Sequence, residues 1–247
     1  MHYSVFGSGS PVVFLHGFLE DHSKWEDIAH ELSALNLAVY LIDLPCHGKS
    51  RFKDEICSMQ GVAELLSQFF NSMKIKNPFV FGHSMGGYIG LELIRITPIK
   101  LTLVHSNFWA DSQSKKEDRN RVIEIVKKNK MRLIQEAIPN LFAIQNRIKN
   151  ASTIEILLTK AALIPTKEII ACTKGMRDRS NLKSVINQHP IIIIHGDEDP
   201  IISTDMLLEE LEGIQEVELY RIPQCGHMSI WENPAMLIKL IQNIVFR

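Results

Sequence analysis

Cysteine is scarce in this chain: four residues in 247, at positions 46, 57, 172 and 225, none in a C-x-x-C spacing. Neither a disulfide framework nor a cysteine zinc site is suggested, so free thiols in a reducing compartment are expected. No apolar run reaches the ~18 residues a membrane span needs. The opening stretch, MHYSVFGSGSPVVF, has no basic region leading into a long apolar core, so a soluble, cytoplasmic chain is expected. An excess of one charge is also missing. Lys+Arg 27 against Asp+Glu 28 leaves a net charge of -1, which gives no bulk pull toward nucleic acid or an acidic membrane. There are ten histidines, yet no H-x-x-x-H or H-E-x-x-H, and no metal or cofactor is expected. Internal repeats and low-complexity tracts are lacking too.

What is present is a chain with 45% hydrophobic residues, enough for one domain or one domain with an insertion. Short apolar runs read as strands: His2 to Phe6 at an edge, then Val12 to Leu15, Leu37 to Ile42, Pro78 to Phe81, Leu101 to Val104, Pro190 to Ile194 and Glu216 to Ile222. Helical spacing lies between them, and Ser23 with Glu26 three residues on reads as a capping box. Strands alternating with helices predict a mostly parallel sheet covered on both faces, an α/β fold. The alternation fails from 107 to 188, where only helical stretches are found. A plain crossover needs about a dozen residues or somewhat more, so this segment reads as a helical insertion over the strand ends. Its charge-rich start, Ser114 to Arg119, reads as a solvated helix face.

The chemistry is carried by Gly82-His83-Ser84-Met85-Gly86, a G-x-S-x-G pattern between a strand and a helix. In such an elbow the chain turns so sharply that the serine hydroxyl is exposed in a strained conformation. Glycines are used because side chains would collide where strand and helix close on each other. A serine hydroxyl needs a base to take its proton, and the base needs an acid to hold its tautomer. Both come later in the chain, at strand ends: Asp197 or Asp199 in HGDEDP, and His227 in QCGH. Ser84, Asp199 and His227 can therefore converge at the carboxyl ends of one sheet.

Through HGF at 16–18, DLPCHGKS at 43–50, GHSMGG at 82–87, GDEDP at 196–200 and CGH at 225–227, the chain resembles the α/β-hydrolase superfamily over nearly its whole length. The resemblance implies a mostly parallel central sheet flanked by helices, the core at 1–106 and 189–247, and a helical cap at 107–188. It implies Asp199, three residues after the strand-end glycine, as the acid rather than Asp197. It places oxyanion donors on the backbone N–H groups of Phe18 and Met85, each worth about 3 kcal/mol of barrier. The implied activity is a serine esterase acting on carboxylic esters, thioesters or lactones through an acyl-enzyme, as monomer or homodimer.

His83, His105, Phe108 and Trp109 are candidates for the substrate pocket, with Phe18 and Met85 beside them. For His16 and His83 the plainer reading is scaffold around the oxyanion hole, and for Asp43 and His47 it is loop stabilisation. Two further readings stay open. One is the menaquinone-pathway synthase that eliminates pyruvate, similar in HGFLEDHSKW and IDLPCHGKS. That enzyme typically carries arginine after the elbow's second glycine, where this chain has Tyr88. The other is a non-catalytic receptor on the same fold.

Overall fold

The β-branched and aromatic runs do become strands, and a computed structural model describes all residues 1–247. They are β1 (Tyr3–Phe6), β2 (Ser10–Leu15), β3 (Leu37–Ile42), β4 (Phe79–His83), β5 (Lys100–Val104), β6 (Ile191–Gly196) and β7 (Val217–Ile222). They form one seven-stranded sheet in the order β1-β3-β2-β4-β5-β6-β7. Only β1 runs antiparallel, on β3; the other pairings are parallel. From β2 the chain first moves outward to β3 and then crosses to β4 on the other side. The strand order therefore reverses between β2 and β4, and open parallel sheets bind ligands in the crevice at such a point.

The helices are α1 (Glu26–Ser33), α2 (Met59–Ser72), α3 (Met85–Leu93), α4 (Gln113–Ala137), α5 (Ala151–Ala162), α6 (Thr166–Arg177), α7 (Lys183–Ile186), α8 (Thr204–Leu211), α9 (Ser229–Glu232) and α10 (Pro234–Val245). Strand alternation divides the core in two. Val13 and Leu15 pack with Val62 and Leu66 of α2 and Ile89 of α3. Val12 and Phe14 pack with Ile28 and Leu32 of α1 and Leu237 and Ile241 of α10. Phe14 stacks on Phe81 across the β2–β4 pairing, with centroids 5.1 Å apart. Each such side chain, fully buried, contributes roughly 1.5–3 kcal/mol.

From 105 to 190 no strand occurs, only α4 to α7 and short 3-10 turns. A third cluster joins Val126, Ile134, Leu157, Ala161 and Ile169 of this segment to Leu19 and Met228 of the core. One helix start differs from the sequence reading. Ser23 is not a cap: Asp21, with extended backbone, accepts the Ser23 N–H at 2.9 Å and caps a 3-10 turn, His22–Trp25, ahead of α1. The charge-rich stretch at 114–119 lies inside α4, whose cap is Ser112. Ser112 accepts the Lys115 N–H, and none of the residues 114–119 is buried, as a solvated helix face requires.

Candidate active site

Ser84 sits between β4 and α3 with φ 49 and ψ -114, a conformation a side chain rarely adopts and which costs of order 1–3 kcal/mol. The surroundings dictate it. A Cβ on Gly82 would lie 2.6 Å from the Gly86 carbonyl oxygen, and one on Gly86 would lie 2.6 Å from that of Leu15. The turn is held by the Ser84 N–H on the Val104 carbonyl at 2.9 Å and by Ser106 Oγ on the Ser84 carbonyl at 2.7 Å. No protein group hydrogen-bonds Ser84 Oγ, and the residue is only half-buried.

Asp199 and His227 are brought together. His227 Nδ1 donates to Asp199 Oδ2 at 2.7 Å, with both side chains almost fully buried. Asp199 Oδ1 accepts the backbone N–H groups of Ile201 and Ile202 at 2.8 and 3.0 Å. Burial pushes the Asp199 carboxyl up, but its pairing with His227 and the His105 ring facing it outweigh that, and it lies well below the usual carboxylate range. Asp197 points elsewhere, pairing with Arg221 at 2.6 Å on the surface. The bond from His227 Nδ1 leaves Nε2 as its free nitrogen. No hydrogen bond joins Ser84 Oγ to His227; the imidazole's one hydrogen bond is that to Asp199.

The donors expected of an oxyanion hole are free. The Phe18 N–H has no protein acceptor, whereas its neighbours are engaged: Gly17 N–H on Glu20 Oε2 at 2.6 Å and Leu19 N–H on His47 Nε2 at 3.1 Å. Met85 is the first residue of α3, where N–H groups have no intrahelical partner. His47 is pushed down to about 3 chiefly by burial, so it stays neutral. Its Nδ1–H donates to the Pro45 carbonyl at 3.1 Å and its Nε2 is left to accept.

Two of the expected pocket residues are interior. His83 is 3% exposed; its Nε2 donates to the His227 carbonyl at 2.9 Å and its Nδ1 accepts from Lys24 Nζ at 2.9 Å. Burial, then the Lys24 charge, pushes it down to about 3. His105 turns back at φ 48 and lies wholly buried under Asp199, 3.3 Å from Oδ2, with Nε2 on Ser229 Oγ at 2.7 Å. Both are buried against the Asp199–His227 pair, His83 at the His227 carbonyl and His105 beside the Asp199 carboxylate. Phe108 is likewise core, 2% exposed. It packs edge-on against Trp109 in a tight contact region shared with Tyr88 and Arg179.

Sequence reasoning missed the ion pair beneath this site. Lys24 Nζ meets Glu20 Oε2 at 2.8 Å with side chains 2% and 3% exposed. Burial pushes Glu20 up, but the charge of Lys24 more than offsets it, so its carboxyl sits well below its ordinary range. The i, i+4 spacing directly after HGF was the available signal, though it ordinarily marks a surface pair. Glu232 was missed as well. It accepts the N–H groups of Gly226 and Met228 at 3.1 Å and that of Ala143 at 3.0 Å, tying the His227 loop to the helical segment. The His227 N–H reaches the Leu141 carbonyl at 2.8 Å.

Comparison with known proteins adds to this. The family model described as serine aminopeptidase, S33 matches residues 9–234. A dihydrolipoyllysine-residue acetyltransferase component of an acetoin cleaving system from Pseudomonas putida is 27% identical over 89% of this chain. The chain spans only 59% of that relative's length. A putative 2-succinyl-6-hydroxy-2,4-cyclohexadiene-1-carboxylate synthase from Haemophilus influenzae is 24% identical over 96% of this chain and 97% of its own. Among solved structures, a thermophilic esterase from Thermogutta terrifontis superposes with a TM-score of 0.91 at 24% identity, covering 99% of this chain and 92% of its own.

Proposed function

The chain belongs to the serine aminopeptidase S33 family of α/β hydrolases, and from that membership we propose that it cleaves carboxylic esters, or thioesters and lactones, through an acyl-enzyme on Ser84. The observation that carries this reading is the His227–Asp199 bond of 2.7 Å at the strand ends that also carry the strained Ser84. Ser84 Oγ attacks the carbonyl carbon while His227 Nε2 takes its proton, and the Phe18 and Met85 N–H groups receive the developing oxyanion. His227 passes the proton to the leaving alcohol. Water, deprotonated by the same imidazole, then releases the acid and restores Ser84. Asp199 keeps the proton on Nδ1 so that Nε2 is free to act as base. The helices of 107–188 serve as the cap, with Leu19 and Met228 packed into their apolar cluster beside the site.

The synthase reading is weaker because the residue after the elbow's second glycine is Tyr88. An arginine does reach this spot, with the Arg179 guanidinium 4.2 Å from the Tyr88 ring centre, but Asp111 already holds it at 2.6 Å.

The test is hydrolysis of a p-nitrophenyl ester series by wild type and Ser84→Ala. Short-chain esters should turn over, and Ser84→Ala should lose nearly all activity because the relay acts as a unit. No turnover, with melting that shifts on adding a small ligand, would favour a receptor. Pyruvate release from the menaquinone precursor would favour the synthase.

A further inference from the structure

A second group of metal-ligating side chains gathers around Asp43, where β3 ends, well apart in the chain from Ser84, Asp199 and His227. The Asp43 side chain is 1% exposed. Its Oδ1 accepts the His22 backbone N–H at 3.0 Å and faces His22 Nδ1 at 2.7 Å. Its Oδ2 accepts the Lys49 backbone N–H at 2.8 Å and faces His2 Nδ1 at 2.9 Å. Each oxygen thus gives one lone pair to a fixed amide and turns the other toward an imidazole nitrogen. The amides orient the carboxylate, as outer partners orient ligands in metal sites.

The histidines are also held. The Asp43 N–H donates to the His2 carbonyl at 3.0 Å, and the His2 N–H donates to Ser50 Oγ at 2.8 Å. His22 Nε2 lies 3.2 Å from Ser4 Oγ, which steadies the ring from its far side. The two rings stand 5.1 Å apart and tilted by 58°, with both Nδ1 atoms directed at the one carboxylate. All three ligand atoms lie within 4.8 Å of one another. The His2 and His22 side chains are 31% and 13% exposed, which leaves a way in and room for water ligands.

We propose that His2, His22 and Asp43 bind one divalent transition-metal ion of the Zn²⁺, Co²⁺ or Ni²⁺ class through two Nδ1 atoms and the carboxylate. The ion displaces both Nδ1 protons, which now lie in separate hydrogen bonds to the two carboxylate oxygens, and sits between the rings. In a neutral ring that proton is carried on Nε2 instead, where on His22 it can donate to Ser4 Oγ; from a doubly protonated ring one proton is released to water. Metal bonds of about 2.1 Å at near-tetrahedral angles need N···O separations of roughly 3.2–3.4 Å, so the rings withdraw by about half an ångström. Two imidazole donors favour these ions over calcium or magnesium, which prefer all-oxygen shells.

The test uses the full chain freed of any affinity tag, titrated calorimetrically with Zn²⁺ and followed by visible absorption with Co²⁺. One equivalent should bind, and melting should rise by about 5–10 °C at a concentration a hundredfold above Kd. His2→Ala and His22→Ala should each weaken binding at least tenfold. Both leave the amide bonds to Asp43 intact, so both should fold, which metal-free melting checks. His227→Ala should bind as wild type does, separating this site from the His105–Asp199–His227 cluster, whose ligand atoms also lie within 4.8 Å of one another. Absence of binding overturns the proposal. So does binding that survives both His2→Ala and His22→Ala, or binding lost in His227→Ala.

Discussion

Asp197 and Asp199 are two residues apart, yet one pairs with a surface arginine and the other with His227. Asp199→Asn should therefore cut kcat/KM by several orders of magnitude, because an amide favours the wrong imidazole tautomer. Asp197→Asn should stay within a few-fold of wild type; the reverse ranking would mean the acid is misassigned. The same carboxylate predicts a pH signature in stability. Its folded pKa is depressed, so its contribution is fully present above the unfolded value of about 3.9 and is lost as pH falls toward the folded value. The melting gap between wild type and Asp199→Asn should be constant from about pH 8 to 5 and close below about 4. The strained turn at Ser84 and the pairing of Asp199 with His227 were legible because each residue sits in a short motif whose chemistry demands that residue type. His105 was legible only as a strand-end histidine, and its direction was not. The left-handed turn that sends it beneath Asp199 leaves no trace in composition or period.

The turn between β4 and α3 and the loop after β2 depend on close backbone approach and on one buried charge pair. Gly86→Ala would drive a methyl against the main-chain oxygens of Leu15 and His16, 2.6 and 2.8 Å away. Backbone cannot swing aside as a side chain can, so this variant should be poorly folded or inactive. Lys24→Met should cost about 3–5 kcal/mol, since it strands Glu20 as an unpaired buried charge. The Lys24→Met/Glu20→Gln double variant should recover part of that loss in urea unfolding. If the single substitution costs under about 1 kcal/mol, the pair is solvated and does not brace the loop. The elbow itself was readable because glycine reports a steric need directly. The Glu20–Lys24 pair was not, because an i, i+4 pair looks the same in sequence on a wet face or a dry one. The 3-10 turn before α1 was hidden for a similar reason: Asp21 and Ser23 are both good caps, and packing chose between them.

Parallel β2 and β4 put Phe18 and Ser84 beyond their carboxyl ends, and β6 and β7 deliver Asp199 and His227 to the same end of the sheet. Alternation of strands and helices made this sheet legible, including the loss of strands between β5 and β6. The packing of α4 to α6 was not, because helical periodicity says which face is apolar and not what it meets. That face meets the core: Met228, 1% exposed, is buried with Ile134 and Leu157 beside the His227 loop. Core and helical segment should therefore melt in one transition, and Met228→Ala should lower the whole of it by about 2–5 kcal/mol. Two separable transitions would show that the segment folds independently. No helix is long and apolar enough to cross a membrane. The central claim, a Ser84 hydroxyl activated by His227, is tested most directly by intact-mass analysis after brief exposure to a fluorophosphonate. One adduct should form, map to Ser84, vanish in Ser84→Ala and form far more slowly in His227→Ala. No adduct, an adduct on another residue, or labelling of Ser84 at an undiminished rate in His227→Ala would contradict it.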